Sequence, residues 1–253
     1  MTDGPRMLLA PNPGPMTLDG TRTFIVGRER PAVIDPGPLH RGHGEAIVAV
    51  LDGRIPTILL THAHSDHADL AAPLARETGG RILAVAEGDA VRTDAGDLHV
   101  LATPGHAADH VAFHWPDTGA VFVGDTFMGE GDTTLVAPPE GDLAAYLRSL
   151  DRIAALRPTV LYPSHGPPLT DPGEAIARFR RHREHRIEQV VHALRRAGPS
   201  HPRALLDEVY GASLLPALRG AAAGSLEAIL GYLTAEGLAR ALSDGRYDLI
   251  SGR

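Results

Sequence analysis

The sequence predicts an α/β protein, with sheets covered by helices on their outer faces, followed by a small winged-helix-like module. Three observations predict this. Through the first 170 residues, short β-rich runs alternate with amphipathic stretches, the pattern of strands joined by helices. Composition then shifts at "PPLTDPGEA": Pro172 to Tyr210 holds eight arginines against five acidic residues, a balance of +3, while the remainder carries −10. Beyond it, short helical stretches precede a turn-forming "SDG", and helices followed by a hairpin are the order of a winged helix. The expected division is residues 1–171 for the α/β domain and 172–253 for a linker helix with the winged-helix-like domain.

The elements follow in chain order. "TFIVG" (23–27) and "AVIDPG" (32–37) read as a meander that turns at Arg28-Glu29-Arg30. "HRGHGEAIVAVLD" reads as a helix leading into the strand "TILL", and "SDHADLAAPLARETGG" as one helix stopped by Gly79-Gly80. The strands "RILAV" (81–85), "LHVLATPG" (98–105), "HVAFHW" (110–115) and "AVFVGD" (120–125) come next. "GDLAAYLRSLDRIAALRP" has apolar positions recurring at three and four, a helix, and precedes the strand "TVLYPSHG" (159–166). A long helix over about 174–197 ends at "AGPSHP", whose Gly and Pro break it. "PRALLDEVYG" and "LLPALRGAAAGSLEAILGYLTAEG" give short helices, and "LARALSDGRYDLI" a hairpin turning at Ser243-Asp244-Gly245.

Composition narrows the chemistry. With 43% hydrophobic and 22% charged residues over 253 positions, the chain has the make-up of an ordinary globule. No stretch approaches the roughly 20 apolar residues of a membrane span. The start, "MTDGPRMLLAPNPGP", lacks a basic segment followed by an apolar one, so a cytoplasmic location is expected and a role against periplasmic antibiotics is not. Cysteine is absent, which removes disulfides, thiolate nucleophiles and thiolate metal ligands together. Any metal must be held by nitrogen and oxygen. All 24 basic residues are arginine, which reads as the coding bias of a GC-rich genome, and the net charge of −7 argues against a general affinity for nucleic acid.

The segment "TILLTHAHSDHADL" places His62, His64, Asp66 and His67 at the end of an apolar strand. Loops at the carboxyl ends of strands in open α/β sheets aim side chains into a crevice. His62 and His64, two apart, share one side of an extended segment, whereas Asp66 and His67 enter the helix and face a second point a few ångströms away. That spacing suits two metal ions. Further candidates stand at the ends of later strands: His106 in "TPGH", Asp125 in "VGD" and His165 in "PSHG". Alone, each reads better as a buried imidazole or a helix cap; together, in this order, they read as a ligand set.

These motifs, "THAHSDH", "TPGH", "GDT" and "PSHG", resemble those of the metallo-β-lactamase superfamily over about residues 20–170. The resemblance implies an αββα sandwich with a dinuclear site at the sheet edge. It implies that His62, His64 and His106 bind one metal, that Asp66, His67 and His165 bind the other, and that Asp125 bridges both. Asp66 and Asp125 are then the catalytic carboxylates, and Asp35, in "AVIDPG", orients a ligand. The donor types suit two zinc ions, with manganese or iron as alternatives. Two cations sharing a carboxylate would hold a water and lower its pKa toward neutrality, giving a hydroxide nucleophile. His64, where other members carry glutamate, resembles the hydrolytic branch more than the di-iron redox branch.

A closer resemblance, to the beta-lactamase-like protein 2 family, rests on "NPGPMTLDGTRTFIVG", "TPGHAADHVAF", "VGDTFMGEGDTTLV", "LYPSHGPPL" and the helix "RFRRHREHRIEQVV". In that family the C-terminal module is winged-helix-like, animal members are single-strand-selective endoribonucleases, and fungal relatives are thioesterases acting on carrier-bound polyketides. Two substrate classes follow: a small ester, thioester or lactone, favoured by the acidic chain, or single-stranded RNA guided by the arginine helix. With 4% aromatic residues, stacking surface for RNA is thin. The C-terminal domain reads equally as a lid or as the contact of a homodimer; no membrane partner is expected. His110, paired with Asp109, reads as support for ligands or substrate or equally as a buried strand histidine, Glu130 and Thr133 as cleft wall, "NPGPMTLDGTRTF" as the cleft mouth, and His182, His185 and His192 as surface or packing residues.

Overall fold

The computed structural model describes residues 4–250. One mixed sheet runs β1 (Arg6–Leu9), β2 (Arg22–Val26), β3 (Ala32–Ile34), β4 (Thr57–Leu59) and β5 (Arg81–Ile82) in that order, antiparallel to β3 and parallel beyond it. The second is ordered β10 (Val160–Pro163), β9 (Ala120–Gly124), β8 (Val111–Trp115), β7 (Gly96–Ala102) and β6 (Ala90–Thr93), with only the β10–β9 pair parallel.

Alternation along the strands builds the layers, because successive side chains point to opposite faces. Phe24, Val26, Ala32, Ile34 and Leu59 of the first sheet meet Phe113, Trp115, Ala120 and Phe122 of the second, and this forms the central core. The intervening Ile25, Val33 and Ile58 pack on Ile47, Leu51 and Leu74 of helices α1 (Arg41–Leu51) and α3 (Ala71–Thr78). On the far side, Ala112, Val121 and Val123 pack beneath Tyr146 and Leu150 of α4 (Leu143–Ala155) and Phe179 of α5 (Pro172–Ala197). Strands buried on both faces read as continuous apolar runs, as "TILL" and "AVFVG" do.

The expected helix over Ser65–Thr78 is two pieces, α2 (Ser65–Ala68) and α3, because Gly37 pins the junction: its amide donates to the His67 carbonyl and its carbonyl accepts the Leu70 amide. The strand expected at 81–85 is shortened to Arg81–Ile82, with one further bond from the Leu83 amide to the Ile58 carbonyl. Strands β1 and β6 went unread, being short, half-exposed edge strands with little apolar pattern.

Asp171 caps α5 by accepting the Glu174 amide, with Pro172 in the first turn. Gly198 ends it. Beyond come a 3-10 turn (Pro202–Leu205), α6 (Leu206–Tyr210), a second 3-10 turn (Pro216–Leu218), α7 (Arg219–Ala235) and the hairpin β11 (Ala239–Ala241)–β12 (Tyr247–Leu249). Val190, Leu194, Leu226, Leu230 and Leu233 continue the apolar cluster of α4 and α5, so these helices are packed onto the outer layer of the sandwich. Among the described residues no helix is long and apolar enough to cross a membrane.

Candidate metal centre

All the motif residues converge at one end of the sandwich, where β3, β4, β7, β9 and β10 finish and β8 begins. The sheets are stitched together there by the Val111 amide on the Thr61 carbonyl (2.7 Å) and the Arg22 amide on the Ser164 carbonyl (2.7 Å). Gly124, at φ 50°, permits the approach: a Cβ would lie 2.5 Å from His110 Nε2 and 2.8 Å from the Thr61 Cβ. Gly105 is needed for the same reason, since a Cβ would meet the Tyr146 backbone at 2.4 Å.

Two groups of donors face each other. His62 Nε2 and His106 Nε2 lie 2.9 and 3.0 Å from His64 Nδ1. Asp66 Oδ2 lies 3.2 Å from His165 Nε2 and 3.5 Å from His67 Nε2. Asp125 joins the groups through separate oxygens, Oδ2 at 3.6 Å from His106 Nε2 and Oδ1 at 3.3 and 3.4 Å from His165 and His67 Nε2. Three sets of these donors lie close enough to hold a metal ion: His62, His64 and His106; His62, His67 and Asp125; and Asp66, His67 and His165.

Partners behind the rings free these atoms. The Nδ1–H groups of His62, His67, His106 and His165 donate to Thr61 Oγ1 (3.0 Å), Asp35 Oδ2 (2.9 Å), the Leu135 carbonyl (2.7 Å) and the Gly20 carbonyl (3.1 Å), which leaves every Nε2 facing inward. His64 is reversed: its Nε2–H donates to Glu140 Oε2 (2.8 Å), so Nδ1 faces the group. Asp35 also accepts from the Thr61 amide, the Thr61 hydroxyl and the Ser164 hydroxyl, at 2.7, 2.7 and 3.0 Å. It is fully buried and held at φ 48°, a left-handed conformation that aspartate tolerates and this network fixes. His110 accepts the Asp125 amide (3.1 Å) and donates to Thr103 Oγ1 (2.8 Å), while Asp109 accepts the Ala63 amide (3.1 Å). Both support the ligand loops.

The donor set fits a cation. His67 Nε2, His165 Nε2 and Asp125 Oδ1 are buried without hydrogen-bond partners, each a loss of about 1–3 kcal/mol if nothing binds there. Electrostatics agree. Burial opposes a charge on His67, yet Asp125 and Asp35 outweigh it and hold its pKa well above the ordinary imidazole value. His165 is likewise pushed up to about 9, against burial, by Asp125 and Asp66. Burial also opposes ionisation of Asp125 and Asp66, but His67 and His165 keep both carboxyls below the usual range. Burial drives the pKa of His62 and His106 down and that of His110 to about 3, so these rings stay neutral. The carboxylates therefore draw positive charge, here on the His67 and His165 rings, to the place where the inward-facing nitrogens and oxygens meet.

A cavity of about 410 Å³ opens over this cluster, with His64, Asp66, His106 and Asp125 in its floor. Arg183 and Arg186 of α5, Tyr210 of α6, Leu214, and Ala222 and Ser225 of α7 form its wall. Pro15 and Met16, in the expected mouth loop, and Thr133 line it; Glu130 is exposed and outside that lining. His182 also lines it and pairs with Asp132 at 3.1 Å, whereas His185 and His192 are exposed. Sequence reasoning missed Glu140, Arg183, Arg186 and Tyr210. Arg183 carried a signal: it falls in helical register with the buried Ile176, Phe179 and Val190, on the apolar stripe of α5.

The Metallo-beta-lactamase superfamily model matches residues 17–97 and 86–165. "Beta-lactamase-like protein 2 homolog" of Caenorhabditis elegans is 30% identical over 94% of this chain and 86% of its own. "Atrochrysone carboxyl ACP thioesterase" of Aspergillus chevalieri is 33% identical over 74% of this chain, which spans only 65% of that relative. The crystal structure of a metallo-beta-lactamase family protein from Thermus thermophilus superposes with a TM-score of 0.83 at 24% identity, covering 98% of this chain and 99% of that one. The likeness of fold therefore extends over the C-terminal helices and hairpin.

Proposed function

Because the chain belongs to the metallo-β-lactamase superfamily, we propose that it is a dinuclear metal-dependent hydrolase that cleaves ester, thioester or lactone bonds of a small substrate. The observation that carries this reading is the carboxylate of Asp125, whose two oxygens face separate donor groups, His106 on one side and His67 with His165 on the other. His62, His64 and His106 would hold one ion, Asp66, His67 and His165 the other, and Asp125 both. When bound, such ions supply Lewis acidity and lower the pKa of water toward neutrality, so the protein needs no nucleophile of its own.

The chain's residues do the rest by position. Asp35 orients His67 and ties its loop to Thr61 and Ser164. His110, kept neutral by burial, receives the Asp125 amide and so sets where that carboxylate stands. Asp66 is partly exposed at the cavity floor, the ligand carboxylate that a substrate would meet first.

A thioester substrate is supported by the likeness to the Aspergillus thioesterase. We read residues 1–171 as the catalytic domain and 172–253 as a linker helix with a winged-helix-like domain, a reading supported by the helices-then-hairpin order, and assign this second part to the wall. The alternative, a single-strand-selective endoribonuclease, draws on the arginine content of α5. Three of those arginines are tied to acids, Arg180 to Asp151, Arg181 to Glu174 and Arg196 to Glu208, which weakens any phosphate-gripping face. The test is hydrolysis of a thioester, lactone and ester panel by zinc- or manganese-loaded protein, alongside labelled single-stranded RNA, with Asp125→Asn as the control for contaminants. Turnover of a small substrate, lost in the variant, supports the proposal; RNA cuts alone, lost in the variant, replace it with the nuclease.

A further inference from the structure

The wall of the cavity carries two cations that the hydrolytic chemistry does not use. Arg183 is 3% exposed. Its Nη2 donates to the Thr134 carbonyl, its guanidinium carbon lies 5.1 Å from the Tyr146 ring centre, and its buried Nε has no partner. Arg186 donates from Nη1 to Gln189 Oε1 (2.8 Å) and the Val209 carbonyl (2.7 Å), stacks 4.5 Å from the Tyr210 ring centre, and also has a buried, partnerless Nε. Every one of these acceptors is neutral, and neither arginine forms an ion pair among the described residues. Asp132, on that side of the cavity, contacts the His182 ring at 3.1 Å and pairs with neither arginine. A guanidinium taken out of water without a counter-charge costs several kcal/mol. Arg183 is such a group, and the half-buried Arg186 stands three residues further along the same helix face, both lining the cavity whose floor is the His/Asp cluster.

We propose that this pair is an anion site: the cavity takes a substrate bearing a carboxylate or phosphate, held by Arg183 and Arg186 while the scissile carbonyl lies on the floor. The inference rests on the hydrolase reading and names its substrate class. Arginine suits the task, because its fork binds carboxylate and phosphate oxygens in pairs while its flat face stays stacked on an aromatic ring, as both do here. Apolar Met16, Met128, Leu214 and Leu218 line the same space and fit a short hydrocarbon spacer between the anion and the reacting bond.

The charge can sit on the acyl group or on the thiol arm, and three substrates separate these: valeryl-N-acetylcysteamine, neutral; glutaryl-N-acetylcysteamine, with an acyl carboxylate; and valeryl-4′-phosphopantetheine, with a phosphate on the arm. Metal-loaded full-length protein should show kcat/KM about tenfold or more higher for one charged substrate than for the neutral one, the size expected of charge-assisted hydrogen bonds. In Arg186→Met that ratio should fall toward one, and Arg186→Glu should prefer 5-aminovaleryl-N-acetylcysteamine, a reversal that a packing role for the side chain does not produce. Arg183→Met should lower the ratio also; because Arg183 is buried, the Arg186 variants decide if that protein fails to fold. Equal kcat/KM for the three substrates, or a preference unchanged in Arg186→Met and Arg186→Glu, overturns the anion site. Calorimetry with the amide analogues N-butyl glutaramate, N-butyl valeramide and valeryl-amide 4′-phosphopantetheine keeps the two proposals apart. Tighter binding of a charged amide, lost in Arg186→Glu, supports the site even where nothing is turned over and only the hydrolase reading fails. No such difference in binding overturns the site.

Discussion

The floor of the cavity is drawn from loops at strand ends and held by hydrogen bonds, whereas its wall is drawn mostly from helices that are held chiefly by apolar packing. In the floor, each ring has one nitrogen fixed by a named partner and the other aimed inward, so single atoms have defined tasks. In the wall, Leu226, Leu230 and Leu233 fix helix α7 collectively, and the apolar side chains facing the cavity, Leu214 and Ala222, could be exchanged without altering a side-chain hydrogen bond behind them. Such a division lets chemistry stay constant while substrate choice varies, which is how one fold serves many activities.

The largest expected effect tests the floor. Asp125→Asn keeps the shape but removes the charge that faces both donor groups. Hydrolysis should drop by about a thousandfold or more, the scale of losing several kcal/mol of charge stabilisation at the reacting centre. Protein should remain folded by circular dichroism, with metal content reduced; near wild-type turnover would sink the shared-carboxylate reading. The wall should answer differently. Leu226→Ala, at a position with no exposure, should cost about 2–5 kcal/mol of stability in urea unfolding. Its metal stoichiometry should match wild type, and a lost metal would show that the wall and the floor fold as one unit.

The same contrast decided what was legible in the sequence. The ligands could be read because imidazoles and carboxylates at strand ends have few other reasons to gather, and because "AVFVGD" and "TILLTH" mark both the strand and its end. Partners contributed by backbone, such as the Leu135 and Gly20 carbonyls, leave no trace in residue type. Glu140 was hidden for another reason: it reaches His64 across 76 residues of chain, and nothing local marks it among other exposed acids. The arginines of α5 read as a charged surface, and only their register against the apolar stripe separates the buried Arg183 from exposed Arg181. The paired layers were legible as apolar runs, while edge strands β1 and β6, half polar and short, were not.

A smaller effect probes the support behind the floor. Asp35→Asn should leave the fold intact but put an amide where His67 Nδ1–H, the Thr61 hydroxyl and the Ser164 hydroxyl all donate. Metal affinity, measured by chelator competition, should fall about 10–100-fold, as for other partners that orient a ligand. A wild-type affinity would mean that His67 is held by packing alone.

The smallest effect belongs to the end of the sandwich opposite the cavity, and it serves as the control for both comparisons. Asp94, in the β6–β7 turn, accepts the Arg28 amide at 2.9 Å and the Arg30 amide at 2.9 Å, tying the two sheets together. The Arg30 amide first, and then those of Glu29 and Arg28, stabilise its ionised form and bring its pKa down to about 2. A carboxyl whose folded pKa lies below its unfolded value of about 3.9 adds stability above that value and loses it as pH falls through the folded pKa. Asp94 is solvent-exposed, so screening reduces the contribution to about 1 kcal/mol or less. Asp94→Asn should therefore unfold at slightly lower urea than wild type at pH 7, with the gap closing between about pH 4 and pH 2. Metal content and substrate preference should stay at wild-type values. A gap that persists unchanged at pH 2 would assign the effect to the shape of the turn instead of the carboxylate's charge.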